Sequence, residues 1–276
     1  MSDSVSPTIL ITGATGGIGY ATAQNLLACG ATVILHGPTA RRVDKALAGL
    51  AADGADATRL HAVVADFRRL AEVTAMADTV SARHTRIDVL VNNAAIAGPD
   101  SRTVTEDGNE ITFQVNYLAP YLLTRLLTPR LRASHGRMVA VTSNLHRVGN
   151  INWADPQRHK NYAPVAAYAQ SKLTLTMFAR AMANEQSEVT AVSVHPGVAE
   201  TDLLPIYSRS GGPVTEAAAA VARLCWPSVT VRSGAYCEGS VPAAPAPLVE
   251  NRDAVARLCR VTNALLDLDH RVGRVA

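Results

Sequence analysis

A single α/β domain, built as a doubly wound parallel sheet with helices on both faces, is predicted for this chain by three observations. Short apolar runs of strand length recur along residues 8–195, and Val and Ile dominate them. Segments long enough for a crossover helix separate the runs, and turn residues follow most of them. Strand alternating with helix reads as βαβ units, whose parallel strands are buried on both faces and need no polar alternation. Successive crossovers should be right-handed.

The elements follow in order. "TILIT" (8–12) is the first strand, and the glycine-rich "GATGGIG" (13–19) turns it into a helix. "TVILH" (32–36), "LHAVVA" (60–65), "DVLVN" (88–92), "RMVAVTS" (137–143) and "VTAVSVH" (189–195) are the next strands. "VPAAPAPLVEN" (241–251) reads as a linker. The tail at about 251–268 reads as a helix, because Val255, Leu258, Val261, Leu265 and Leu268 recur every three or four residues and so share a face that packs on the domain. Nothing marks a boundary within 1–276, so one domain is expected.

Composition excludes several classes. The chain has 276 residues, 48% of them hydrophobic, enough for a sizeable core. A formal charge of +3 without a dense Lys/Arg stripe argues against a nucleic-acid partner. Cys29, Cys225, Cys237 and Cys259 show no metal-type spacing, so buried thiols and no metal site are expected. The N-terminus lacks a signal-peptide pattern and no apolar run reaches the ~18 residues of a membrane helix, so a soluble cytoplasmic protein without a membrane partner is expected.

The loop after the first strand carries the first functional signal. Gly13, Gly16, Gly17 and Gly19, with Thr15 and Ile18, sit between a strand and a helix. Glycine lets the backbone turn sharply and approach a pyrophosphate, and the N–H groups of the following helix then face the phosphates. A dinucleotide is the expected cofactor. An acidic residue after the second strand would bind a ribose 2′-hydroxyl. None occurs from Val33 to Val43, where Thr39, Arg41 and Arg42 stand instead. A hydroxyl and two guanidinium groups suit a 2′-phosphate, which favours NADP(H) over NAD(H).

The spacing Gly13-x3-Gly17-x-Gly19 resembles that of the short-chain dehydrogenase/reductase family, whose domain is Rossmann-like. Further motifs carry the resemblance over about residues 8–240. Asp66, with Phe67 beside it, resembles the family's adenine-contacting Asp. "NNAA" (92–95) resembles its NNAG, with Ala95 in place of Gly, and brings Asn93 and Ala94 to the cofactor. "YAQSK" (168–172) matches its YxxxK. Residues four apart are neighbours on a helix, so Lys172 can reach both Tyr168 and the nicotinamide ribose. A nearby ammonium and a positive nicotinamide should lower the phenol pKa and make Tyr168 a general acid–base. Ser143 ends the fifth strand where the family keeps a serine that polarises the substrate oxygen. Asn116, in "FQVNYLAPYLLT", resembles the fourth catalytic residue, which holds a water that links the lysine to a proton relay. "HPGVAET" (195–201) resembles the PG motif, with Pro196, Gly197, Val198 and Thr201 at the nicotinamide.

Ser143 and Tyr168 lie 25 residues apart, more than is usual in the family. The intervening "SNLHRVGNINWADPQRHKNYAPVAAYAQSK" resembles the retinol-dehydrogenase-like branch, although "TLTMF" departs from its pattern after the lysine, so a retinoid substrate does not follow. This insertion brings His146, Asn152, Trp153, His159 and Lys160 near Ser143. It reads as a structural cap on the pocket, or, more sharply, as a source of substrate contacts from His146 or Trp153. His195 reads as packed. A substrate-loop region at about 197–215 should act as a lid, with Leu203, Leu204, Ile206 and Tyr207 giving an apolar inner surface and Thr215 capping the next helix. The resemblance implies an NADP(H)-dependent oxidoreductase acting on a hydrophobic ketone, aldehyde or secondary alcohol. Dehydration, epimerisation or cyclisation on the same scaffold, or dinucleotide binding without turnover, are the alternatives. A homodimer through the helices carrying Asn116 and Tyr168 is expected from the same resemblance.

Overall fold

The computed structural model of the chain describes residues 6–207 and 210–268. The elements run β1 (Thr8–Ile11), α1 (Gly17–Ala28), β2 (Thr32–Gly37), α2 (Ala40–Ala52), β3 (Leu60–Val64), α3 (Leu70–Arg83) and β4 (Val89–Asn92). A continuous helical stretch follows, made of α4 (Ile111–Phe113), a π-helical segment Gln114–Leu118 and α5 (Ala119–Ala133). Next come β5 (Arg137–Val141), α6 (Pro164–Glu185), β6 (Thr190–His195), α7 (Val214–Cys225), β7 (Tyr236–Glu238), β8 (Val241–Ala243), α8 (Pro247–Glu250) and α9 (Arg252–Leu266).

The strands form one sheet in the order β3-β2-β1-β4-β5-β6-β7-β8, and only the β7–β8 pair is antiparallel. The chain winds outward from β1 to β3 and then returns to place β4 on the other side of β1. That reversal opens a crevice beyond the carboxyl ends of β1 and β4, where open α/β sheets bind ligands. Strand side chains point alternately to the two faces. Leu10 enters a core with α3, α5 and α6, while Ile9 and Ile11 enter the core with α1, α2 and α7.

The six long strands fall where their Val/Ile runs predict. The tail of the sheet differs. Residues 241–251 are not a linker: β8 pairs with β7 through Glu238–Val241, Cys237–Pro242 and Tyr236–Ala243, and α8 follows. Pro242 is tolerated because it lies on an edge strand. α7 starts at Val214 with Pro213 at its cap, so Thr215 lies inside the first turn and is not the cap. Three cysteines are buried, but Cys29 is exposed at the end of α1. No described helix is long and apolar enough to cross a membrane.

α9 buries Val255, Leu258, Cys259, Thr262 and Leu266, a stripe that leaves the predicted Leu265 exposed. It covers the outer surface of the helices that carry Asn116 and Tyr168. Tyr117 and Thr262 share a hydrogen bond of 2.7 Å between hydroxyls, and the Tyr121 hydroxyl donates to Asn263 Oδ1 at 2.6 Å. The chain's own tail therefore lies on part of the surface through which a homodimer is expected.

Candidate active site

The glycine loop is built by neighbours from three strands. Gly13 takes a φ of +65°, and a Cβ there would lie 2.7 Å from Ala94 Cα. Asn93 Nδ2 donates to the carbonyls of Thr12 (2.8 Å) and Gly13 (3.1 Å). Thr12 Oγ1 in turn accepts the N–H groups of Asn93 and Ala94, both at 3.0 Å. "NNAA" thus braces the loop from behind. The opposite side is open at the loop: Gly16 caps α1 and is exposed with Gly17, at the start of a 12-residue helix whose first N–H groups have no intrahelical partner. Thr15 packs on Gly37 at the end of β2, and the Thr201 methyl lies over Gly17. Ile18 is half-buried beside them.

His36 completes this brace. Its Nδ1 accepts the Gly13 N–H at 3.1 Å, which leaves Nε2–H to donate to the Ala65 carbonyl at 2.9 Å. The ring is buried and stacks on Phe67 with centroids 4.5 Å apart. Burial lowers its pKa to about 4. A histidine that ionises near 6.5 when unfolded then binds more protons unfolded than folded between those values. Stability should fall as pH drops from about 6.5 to about 4, with His36 contributing about 3 kcal/mol of the loss. Urea unfolding of wild type and His36→Gln across that window checks this: the variant should lose less stability, and parallel curves would refute it.

At the end of β2, Thr39 Oγ1 caps α2 by accepting the Arg42 N–H at 3.4 Å. Arg41 and Arg42 are exposed on the first turn of α2, and neither guanidinium has an ion-pair partner among the described residues. The adenine side departs from expectation. Asp66 is gripped by Arg68, whose Nε and Nη2 lie 2.9 and 2.6 Å from Oδ2. The Phe67 ring lies in the core against His36, so its backbone alone remains to face a ligand.

The four predicted catalytic residues are all buried, and Asn116 sits in the π-helical segment. A π turn re-aims side chains within a helix and is frequent at functional sites. Asn116 Oδ1 accepts the Ile96 N–H at 2.8 Å, and its Nδ2 lies 3.0 Å from the Ile96 carbonyl and 3.1 Å from Ser171 Oγ. Ser171 donates to the Tyr168 carbonyl at 2.7 Å. Asn116 therefore meets the tyrosine's helix through Ser171 and not through Lys172. Lys172 Nζ donates to the Val141 carbonyl at 3.0 Å and lies 5.6 Å from the Tyr168 ring centroid. Ser143 follows β5 and caps a 3-10 turn, Asn144–Arg147, with Oγ accepting the Leu145 N–H at 3.0 Å.

Tyr207, on the 3-10 turn Leu204–Tyr207, reaches into this group. Its hydroxyl donates to Ser143 Oγ at 2.7 Å and lies 3.4 Å from the Tyr168 hydroxyl. The segment that carries it is pinned at its base, where the Gly212 N–H donates to Val198 O at 2.8 Å and the Glu200 N–H to Gly212 O at 3.1 Å. Pro196 is buried, Gly197 is exposed with a φ of +108°, and Leu203 and Leu204 are half-buried. Residues 208 and 209 of the predicted lid lie outside the described residues.

Two electrostatic results follow. Burial, reinforced by Tyr207, raises the Tyr168 pKa well above the usual phenol value. Burial lowers Lys172 to about 7. The expected lowering of the phenol by Lys172 is thus reversed in the protein alone, because burial and the neighbouring Tyr207 disfavour the phenolate.

Two predicted substrate contacts are also corrected. His146 is fully buried, and both ring nitrogens are engaged by backbone atoms. Trp153 packs on the core, with Arg257 of α9 4.6 Å above its ring. The insertion is knit to the segment before α4: Gln157 Oε1 accepts the Glu110 N–H at 2.8 Å, and its Nε2 donates to Asn109 at 2.6 Å. His159 pairs with Asp155, and Asn152 and Lys160 are exposed. Thr12, His36 and Ser171 were not foreseen as parts of the site. Thr12 and Ser171 lie inside the recognised motifs, and His36 stands at the strand end where an acidic residue is sought.

A doubly wound sheet with an open glycine loop at its switch point thus carries a buried Ser–Tyr–Lys group. The family model for short chain dehydrogenase matches residues 7–209, and the chain belongs to that family. It is 40% identical over 199 residues to a Streptomyces sp. (strain C5) protein named as a daunorubicin C-13 ketoreductase, covering 70% of this chain and 66% of that one. Human retinol dehydrogenase 13 is 32% identical over 288 residues, covering 95% of this chain and 85% of that one, which supports the retinol-dehydrogenase-like branch. The chain spans only 59–65% of the length of three other curated relatives that it matches. A solved structure of an uncharacterized protein from Mycobacterium paratuberculosis superimposes with a TM-score of 0.79 at 28% identity, covering 94% of this chain and 92% of that one.

Proposed function

We propose that the chain is an NADP(H)-dependent carbonyl reductase or alcohol dehydrogenase acting on a hydrophobic ketone, aldehyde or secondary alcohol. One observation carries this reading. The Tyr207 oxygen is shared by Ser143 Oγ at 2.7 Å and the Tyr168 hydroxyl at 3.4 Å, which supports a substrate oxygen taking that position once Tyr207 withdraws. Both neighbours can donate a hydrogen bond to an oxygen there, as alkoxide formation requires.

Tyr168 then gives its proton to the developing alkoxide in reduction and takes it back in oxidation. Ser143 holds the same oxygen in line. Asn116 steadies the Tyr168 helix through Ser171, and Lys172 would hold the ribose. A bound nicotinamide supplies or accepts the hydride and, when oxidised, brings the positive charge that lowers the phenol. The residues fit such a group: Gly16 and Gly17 present an exposed helix start, and the loop behind them is fully braced. Two relatives are named for oxidation or reduction at a carbon–oxygen group, as a retinol dehydrogenase and a daunorubicin C-13 ketoreductase, which supports a ketone or alcohol substrate. Half-buried Leu203 and Leu204 beside Tyr207 suit a hydrophobic one.

The 2′-phosphate preference rests on Arg41 and Arg42, exposed and without ion-pair partners among the described residues at the start of α2. Charge-assisted bonds contribute about 1.5–3 kcal/mol, so the Arg41→Ala/Arg42→Ala double variant should raise the KM for NADPH roughly 10- to 100-fold. The KM for NADH should stay near wild type. Initial rates of NADPH and NADH oxidation with a panel of ketones test both claims. A chain that oxidises neither cofactor with any ketone, and reduces neither with any alcohol, would refute the function.

A further inference from the structure

We propose that His146 is a positioning residue through which the C-terminal segment holds Ser143, which makes that segment part of the carbonyl-reducing apparatus. The proposal rests on the role given to Ser143 above. His146 is fully buried, and its ring spans two distant pieces of backbone. Nδ1 lies 2.7 Å from the Ser143 carbonyl oxygen, and Nε2 lies 3.0 Å from the amide nitrogen of Ala246, 100 residues away. A backbone amide only donates, so Nε2 is the bare nitrogen and Nδ1 carries the hydrogen. The ring is neutral, because a second N–H would face the Ala246 N–H head on.

The Ser143 carbonyl also accepts the backbone N–H of His146 at 3.0 Å, so one peptide unit is gripped twice. That grip holds Ser143 at φ −145° and ψ 152°, which sets the Cα–Cβ direction from which Oγ projects. The other end of the ring is anchored outside the 7–209 stretch that the family model matches. Ala246 and Val249 are buried, and α8 and α9 pack on α6, the helix of Tyr168 and Lys172. Tyr236 of β7 backs the imidazole, with ring centroids 4.7 Å apart. The C-terminal segment thus touches both sides of the reaction centre: α6 by direct packing, and Ser143 through one imidazole.

Two substitutions separate the two bonds. His146→Asn keeps an N–H close to the Nδ1 position but is too short for Ala246. His146→Gln reaches Ala246 with its amide oxygen and gives up the Ser143 carbonyl. Rates of ketone reduction by the full chain with NADPH are measured beside hydrogen exchange of peptides covering 143–147 and 244–250. H146Q should lower kcat about tenfold or more, because small misplacements of a reacting group are costly. Its KM for NADPH should hold, and only the 143–147 peptide should exchange faster. H146N should lower kcat only about threefold and speed exchange at 244–250, since the direct grip on Ser143 remains. Ala246→Pro removes the donor at a φ of −58° that proline adopts, leaves the imidazole in place, and should reproduce H146N. It is the arm that decides if the His146 variants do not fold. Wild-type kcat in H146Q, or a loss confined to KM, would overturn the proposal, as would unchanged exchange in both peptides. If the wild-type chain reduces no ketone, the proposed function fails on its own. The exchange pattern then still decides whether His146 ties the two segments together.

Discussion

Tyr168→Phe should lower kcat by about 10²–10⁴-fold, the share usually carried by a positioned general acid–base. NADPH affinity and folding should stay near wild type. The loss falls on the chemical step because the phenol hydroxyl has little structural work. Among the described residues its one side-chain hydrogen-bond neighbour is Tyr207, at 3.4 Å, while the ring itself is packed at 2% exposure and is kept by Phe. Burial holds the proton on Tyr168 at neutral pH, so the group is ready to donate without prior protonation. Reduction should therefore show no acid-side gain from this group near neutrality. Steady-state kinetics beside fluorescence titration of NADPH separates the outcomes. Turnover at the wild-type rate would remove Tyr168 from the mechanism.

Lys172→Met should abolish turnover and at the same time stabilise the cofactor-free chain. Burial depresses the folded pKa of Lys172 to about 7 from 10.5. The unfolded chain then binds more protons between those values, so stability falls as pH drops from 10.5 through 7, and most of the penalty is present at neutral pH. The full shift would correspond to about 5 kcal/mol, but the variant also loses the Nζ bond to Val141 O, so a gain of about 2 kcal/mol is expected. For a chain of this size that raises Tm by roughly 5 °C. Thermal melts of both proteins at pH 7 and pH 10 check the sign: the advantage of Met should shrink at the higher pH. A variant that melts below wild type at pH 7 would show that the lysine stabilises the fold. The expected pairing of higher stability with lost activity is that of a functional residue held at an energetic cost.

Much of the architecture was readable because it is written in contiguous stretches. β1 to β6 are runs of Val, Ile and Leu between turns, and each run reports its own burial. The glycine loop is readable for the same reason: strand, turn and helix start lie within 12 residues. β7 and β8 escaped because three-residue strands, one containing Pro242, carry no periodic pattern. The burial stripe of α9 differs from the expected one at Leu265, since Thr262 and Leu266 are the buried positions there and two polar residues of the helix, Thr262 and Asn263, bond Tyr117 and Tyr121.

Within the site, the sequence by itself determined the residue types and their local geometry. Tyr168 and Lys172 share a helix face because they are four apart, and Ser143 lies just beyond a strand because Val139 to Val141 precede it. Tertiary structure decided the rest. His36 supports Gly13 only because β1, β2 and β3 lie side by side. Tyr207 meets Ser143 across 64 residues and Tyr168 across 39. His146, read as a substrate contact, is held inward by its bond to Ala246, and α9 packs on α6 and on Tyr117 and Tyr121. The difference is physical. Backbone propensity and side-chain period act over a few residues. Burial, which sets the protonation of Tyr168 and Lys172, depends on which distant segments close over them.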